Sequence, residues 1–103
     1  MYKVKITKQD AEKLLADVPE YRSFWCNDGR IFRNMRDLSI GLASMSVHTF
    51  AYHLNGEKND FSNWLKDSIE DEQLAEDLEY PIARREAAKT VKERVSFLNT
   101  LLS

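Results

Sequence analysis

FAYHLNGEKNDFSNW (residues 50–64) sets one histidine, three asparagines and one aspartate among aromatic residues. Phe50, Ala51 and Leu54 fall at three-four spacing, the stripe of an amphipathic helix. Asn55-Gly56 then supplies residues that tolerate a left-handed backbone and end it. Asn59 or Asp60 caps a second helix, with Phe61, Trp64 and Leu65 turned inward. The stretch therefore reads as two helices joined by NGEKND (55–60). Its polar side chains read as a clasp between them: His53, Asn55, Asn59 and Asn63, with Tyr52 and Trp64 offering an O–H and an N–H that also want partners.

Working toward the N-terminus, Val47 joins this helix and Ser46 caps it. Met35, Leu38, Leu42 and Met45 repeat at three-four-three spacing behind an Asn34 cap, with Gly41 inside the run. An interior glycine costs about 1 kcal/mol against alanine unless a neighbouring backbone comes close to it. SFWCNDGRIF (23–32) predicts a β-hairpin, because Asn27-Asp28-Gly29 tolerates the turn backbone between β-prone Phe24, Trp25, Ile31 and Phe32. Thr7 caps a helix over 8–18, with Ala11, Leu14, Leu15 and Val18 on one face and Pro19 as the stop. Tyr2, Val4 and Ile6 alternate with polar residues, predicting a short strand that would make the hairpin three-stranded.

Toward the C-terminus, Asp71 begins a helix with Leu74, Ala75 and Leu78 inward, and Pro81 breaks the chain. A longest helix is predicted over about 82–101, striped by Ala88, Val91, Val95, Leu98 and Leu102. With 103 residues, 43% apolar and 31% charged, one globular domain is expected. Three glycines and two prolines favour helices over a many-turned sandwich. The expected fold is mostly α: a single small domain of five to six helices with a short hairpin near 23–33.

The composition narrows function. Cys26 is the only cysteine, so no internal disulfide forms, and the chain shows neither a secretory leader nor an apolar run long enough to span a bilayer. A soluble cytoplasmic protein is the expectation. The net charge of −2 is uneven: +2 over residues 1–56, −7 over 57–79 and +3 over 80–103. The acidic middle can face basic surfaces at both ends, or stand as a solvated face.

Candidate chemistry centres on Asp28, Tyr52, His53, Asn59, Asp60, Asn63 and Trp64, which make a small-ligand or enzymatic site if turn and helix pair meet at one concave spot. Otherwise they are the clasp alone. No metal is expected, since His48 and His53 are five residues apart and Cys26 has no partner at CxxC spacing. No cofactor is expected either. Cys26, His53 and one of Asp28, Asn59 or Asp60 supply the residue types of a thiol triad, without a family signature around the cysteine. Asp60 and Asp67 share a helix face as solvated carboxylates. Arg22, Arg30, Arg33 and Arg36 interleave with Phe24, Trp25 and Phe32, the makings of a single-strand nucleic-acid platform, though the pI near 5.7 weighs against it. The leading expectation is a non-catalytic protein-interaction module, docking a protein partner or self-associating through Val91, Val95, Leu98 and Leu102.

FWCNDGRIFRNMRDL (24–38), FAYHLNGEKNDFSNWLKDSIEDEQLAEDL (50–78) and RREAAKTVKERV (84–95), in that order, resemble an uncharacterised prokaryotic domain family, a domain of unknown function. Its members carry an aromatic-rich NDG turn, an F-x-Y-H helix, a K-N-D-F-x-N-W helix and a basic closing helix. The resemblance covers roughly residues 24–96 and leaves 1–22 as an extension. It implies no activity. It does imply that Asn27, Asp28, Gly29, Phe50, Tyr52, His53, Asn59, Asp60, Phe61, Asn63 and Trp64 belong to a shared signature, with Cys26 a variable position inside it.

Overall fold

In a computed structural model, residues 5–80 and 82–103 are described. Five of the six α-helices begin where a short polar side chain satisfies one of the first free N–H groups; the last follows Ala83 and has no side-chain cap. Thr7 and Asp10 form a reciprocal capping box at the start of α1 (Lys8–Leu15). The chain then passes through a 3-10 turn, Glu20–Arg22, into β1 (Phe24–Trp25) and β2 (Ile31–Phe32). Asn34 caps α2 (Met35–Ser44) and Ser46 caps α3 (Val47–His53). Asn59 caps α4 (Asp60–Trp64), which runs on into a π-helical turn, Leu65–Ile69. Asp71 caps α5 (Glu72–Asp77), and α6 (Arg84–Thr100) closes the chain. The fold is mostly helical, with six α-helices and one two-stranded antiparallel sheet among the described residues.

The strands pair Phe24 with Phe32 and Trp25 with Ile31. That register turns both phenylalanines inward and leaves Trp25 and Ile31 outside. The strand expected at 2–7 falls mostly outside the described residues: Tyr2 and Val4 are not among them, and Lys5–Thr7 carry no strand. Pro81, the expected break before α6, also lies outside them.

α1 is shorter than its apolar pattern suggests. It ends at Leu15, and the Val18 N–H goes instead to the Arg33 carbonyl at 2.8 Å. Val18 is still buried, reached by extended chain rather than by the expected helix over 8–18.

α2 and α6 are the central pair of the domain. Met35, Leu38 and Leu42 on α2, with Val91 and Leu98 on α6, are fully buried. Gly41 explains its own cost here: an added Cβ would stand 2.2 Å from the Phe32 ring, so the hairpin seats against α2 only because residue 41 lacks one. The neighbour is a ring rather than a backbone. Around the hairpin an aromatic cluster forms, with Phe24 stacked on Phe32 at 5.7 Å and on Phe61 at 5.3 Å, and Trp64 edge-on at 5.7 Å.

Between α4 and α5 the π-helical turn brings the Glu70 and Asp71 N–H groups back to the Leu65 carbonyl. Glu70 takes a left-handed backbone there (φ 69°, ψ 35°), the geometry usual just past a helix end. Its carboxylate lies 3.7 Å from Lys13 and 3.8 Å from Arg22.

Candidate functional site

The hairpin turn is built around Gly29, whose φ of +96° favours glycine. Cys26 donates to the Arg30 carbonyl and Gly29 to the Cys26 carbonyl, closing the turn. Inside it, Asp28 accepts from Arg30 Nε at 3.0 Å, from Arg30 Nη2 at 2.8 Å and from the Arg30 N–H at 3.1 Å. That guanidinium holds the Asp28 carboxyl far down, at about 2. Arg30 Nη1 also donates to the Ser44 hydroxyl at 2.8 Å, tying the turn to the end of α2.

The turn leaves the Asn27 N–H without a partner in the ladder, and His53 takes it. His53 Nε2 accepts this N–H at 2.9 Å, while Nδ1 lies 2.9 Å from Asp60 Oδ2. A nitrogen accepting an N–H carries no proton, so the partners assign the tautomer: neutral imidazole, Nδ1–H donating to Asp60. The ring is only 3% exposed and lies 4.8 Å from Phe24 and 5.4 Å from Phe61. One side chain thus joins the hairpin turn, the end of α3 and the start of α4.

Asp60 is one-third exposed and also meets Lys58 Nζ at 3.0 Å. Burial pushes its carboxyl up, but the bonds from His53 and Lys58 outweigh that and leave it below its usual value.

Asn59 does two jobs. Its Oδ1 accepts the Ser62 N–H at 3.0 Å, and its Nδ2 donates to the Leu78 carbonyl at the end of α5. Ser62, buried, donates to the Ala75 carbonyl at 2.8 Å. Trp64 Nε1 reaches the Arg22 carbonyl at 2.7 Å, anchoring the 3-10 turn. Three of the expected clasp residues, His53, Asn59 and Trp64, are therefore buried or half-buried and bonded within the fold.

Others sit differently. Asn55 serves its own loop, donating to the Ala51 and Tyr52 carbonyls and accepting from Glu57 and Lys58, with the loop closed by the Leu54–Asn59 bridge. Asn63 does not reach Asn55. It is exposed on the outer face of α4, because its neighbours Phe61, Ser62 and Trp64 occupy the inward positions. Tyr52 is exposed as well, with Lys58 Nζ over its ring at 4.2 Å.

The expected ligand or catalytic set is thus divided between interior and surface. Asp28, Asn63 and Tyr52 face outward, and both nitrogens of His53 are spent on structural bonds. Cys26 is buried, and burial pushes its thiol up, away from the thiolate a nucleophile needs. No group of three or more His, Cys, Asp or Glu side chains able to hold a metal ion occurs among the described residues.

The four arginines are engaged separately: Arg30 with Asp28, Arg22 with Glu70, Arg33 with Glu20 at 4.0 Å, and Arg36 with Asn99 at 3.4 Å. Val91, Val95 and Leu98 are buried inside the domain, so this stripe is spent within one chain, and Leu102 is half-buried.

The residue pattern did not expose one strong interaction. Asp71 is 2% exposed and takes Arg94 in a two-pronged pair, Nε at 2.8 Å and Nη2 at 2.9 Å, while Oδ1 also accepts the Leu74 N–H. It locks α5 to α6. The one available signal was an arginine inside the stripe of α6, a residue type rarely buried unless paired.

No helix among the described residues is long and apolar enough to cross a membrane. No family model, curated protein or solved structure matches the chain.

Proposed function

We propose that the chain is a non-catalytic protein-interaction module whose docking face is the outer side of the hairpin together with α2. The observation that carries this is the exposure of Trp25 (65%), Ile31 (42%) and Ile40 (61%). Trp25 and Ile31 are cross-strand partners, and Ile31 and Ile40 line one surface depression, so the three form a continuous apolar patch. A tryptophan with aliphatic neighbours on a rigid element is the usual anchor of a protein interface. The internal use of His53, Asn59 and Trp64 supports the same reading, because it spends both nitrogens of the imidazole, the general base the segment offers, on bonds within the fold. The buried, unpaired Cys26 suits a reducing compartment, and we place the protein in the cytoplasm.

The test is affinity capture from cell extract with the full chain and with a Trp25→Ser/Ile40→Ser variant. Both substitutions are at exposed positions and should leave stability within about 0.5 kcal/mol. A partner captured by the first and lost by the second supports the reading. An identical set of captured proteins removes the patch from it. Light scattering at high concentration separates a foreign partner from a second copy: a dimer abolished by the same variant would make the patch a self-association face.

A further inference from the structure

A second surface shares no residue with that patch. α1, α5 and α6 enclose an open cleft of about 1130 Å³. Its floor is apolar: Ile6, Leu14 and Leu101 are half-buried, and Phe97 stands 46% exposed. Its rim is acidic. Asp10, Glu70, Glu72 and Glu76 line it against Lys5 and Lys13, and Lys13 lies 3.7 Å from Glu70. The deeper charges cancel, since Asp71 and Arg94 hold each other at 2.8 Å.

We propose that this cleft docks a basic amphipathic helix of a partner protein. The cleft lies open to solvent between three helices, which argues for an extended ligand, because small-molecule sites bury most of their ligand's surface. Apolar side chains spaced at i, i+3 or i+4 and i+7 fit the floor, as in helix-in-groove recognition generally. Flanking lysines and arginines fit the rim: Glu70 is already met by Lys13 and Arg22, and Asp10, Glu72 and Glu76 outnumber the remaining Lys5. An acidic or neutral helix would match the floor and be repelled or ignored by the rim.

The probe is a synthetic Leu/Lys amphipathic peptide of about 18 residues, long enough to fold on docking. It is titrated into the full, isotope-labelled chain, and a Leu/Glu peptide of the same pattern serves as control. The expected result is amide shifts confined to α1, α5 and α6 around Leu14, Glu72 and Phe97, with the Leu/Lys peptide only. Phe97→Ser should weaken binding by about tenfold or more through the lost apolar contact. Glu72→Lys/Glu76→Lys should weaken it about tenfold and flatten its salt dependence.

Absence of binding, equal binding of both peptides, shifts outside these helices, or indifference to both variants would overturn the proposal. Shifts of the same residues with protein concentration alone would assign the cleft to a second copy, and binding that appears only after deletion of residues 1–4 would assign it to the chain's own start. Either result equally refutes a foreign helix.

Discussion

Replacing His53 by alanine should cost about 3.5 kcal/mol, and the parts of that figure can be separated. Removing Nε2 leaves the Asn27 N–H without its acceptor, a loss of about 1 kcal/mol. Removing Nδ1–H takes a donor from a carboxylate, and because Asp60 is one-third exposed the low end of that range applies, about 1.5 kcal/mol. The ring also leaves a gap between Phe24 and Phe61, worth about 1 kcal/mol. For a domain of this size such a loss lowers Tm by about 15–25 °C.

Two conservative variants divide the effect. His53→Gln can place a carbonyl near the Nε2 position and keep the Asn27 bond. His53→Asn can place an N–H near the Nδ1 position and keep the Asp60 bond. Each should recover about 1 kcal/mol of the alanine deficit. Urea unfolding followed by tryptophan fluorescence reads all three, since Trp64 is buried against Phe24. An alanine variant within about 1 kcal/mol of wild type would show that the imidazole does not hold these elements together, and the clasp would have to be abandoned.

Asp71→Asn should destabilise by about 3–5 kcal/mol, since it leaves the Arg94 charge largely buried and uncompensated; Asp71→Asn/Arg94→Met should recover a large part of this in the same unfolding assay. Gly41→Ala should cost about 1–3 kcal/mol despite the better helix propensity of alanine, and Phe32→Leu in that background should cost less than it does alone. Asp28 titrates at about 2 in the fold against 3.8 ordinarily, so its folded value is depressed. Its contribution is therefore complete above pH 3.8 and is lost as pH falls toward 2. Asp28→Asn should lower stability at neutral pH and flatten the acid limb between those values, as measured by acid-induced unfolding followed by circular dichroism.

Helix starts were legible because a cap is a relation between residues three apart. Thr7, Asn34, Ser46, Asn59 and Asp71 accept the N–H groups of Asp10, Asp37, Thr49, Ser62 and Leu74, each pair visible in the residue order. The hairpin was legible for a similar reason, since Asn27-Asp28-Gly29 can serve few backbones other than a tight turn. Asn63 was misread because a polar residue in a helix says nothing of which way it faces once aromatic residues on either side compete for the interior. The Asp71–Arg94 pair spans 23 residues, and no local periodicity encodes a partner so distant. His53 reads from the sequence as part of a clasp between two helices, and its Nδ1 does meet Asp60 at the start of α4. Its acceptor bond in fact runs 26 residues back, to the hairpin, where a tight turn had left one amide free.

The lengths of α3 and α4 have a kinetic consequence. With seven residues, and with five continued by the five of the π-helical turn, neither reaches the dozen or so at which a helix begins to persist alone in water. Each therefore persists through its tertiary contacts: the imidazole and the stacked rings join the two, and Asn59, Ser62 and Trp64 tie α4 to α5 and to the 3-10 turn. The hydrogen-bonded amides of α3 and α4 should consequently exchange with solvent deuterium together, sharing one opening free energy, while those of α6 exchange more slowly in the global unfolding reaction.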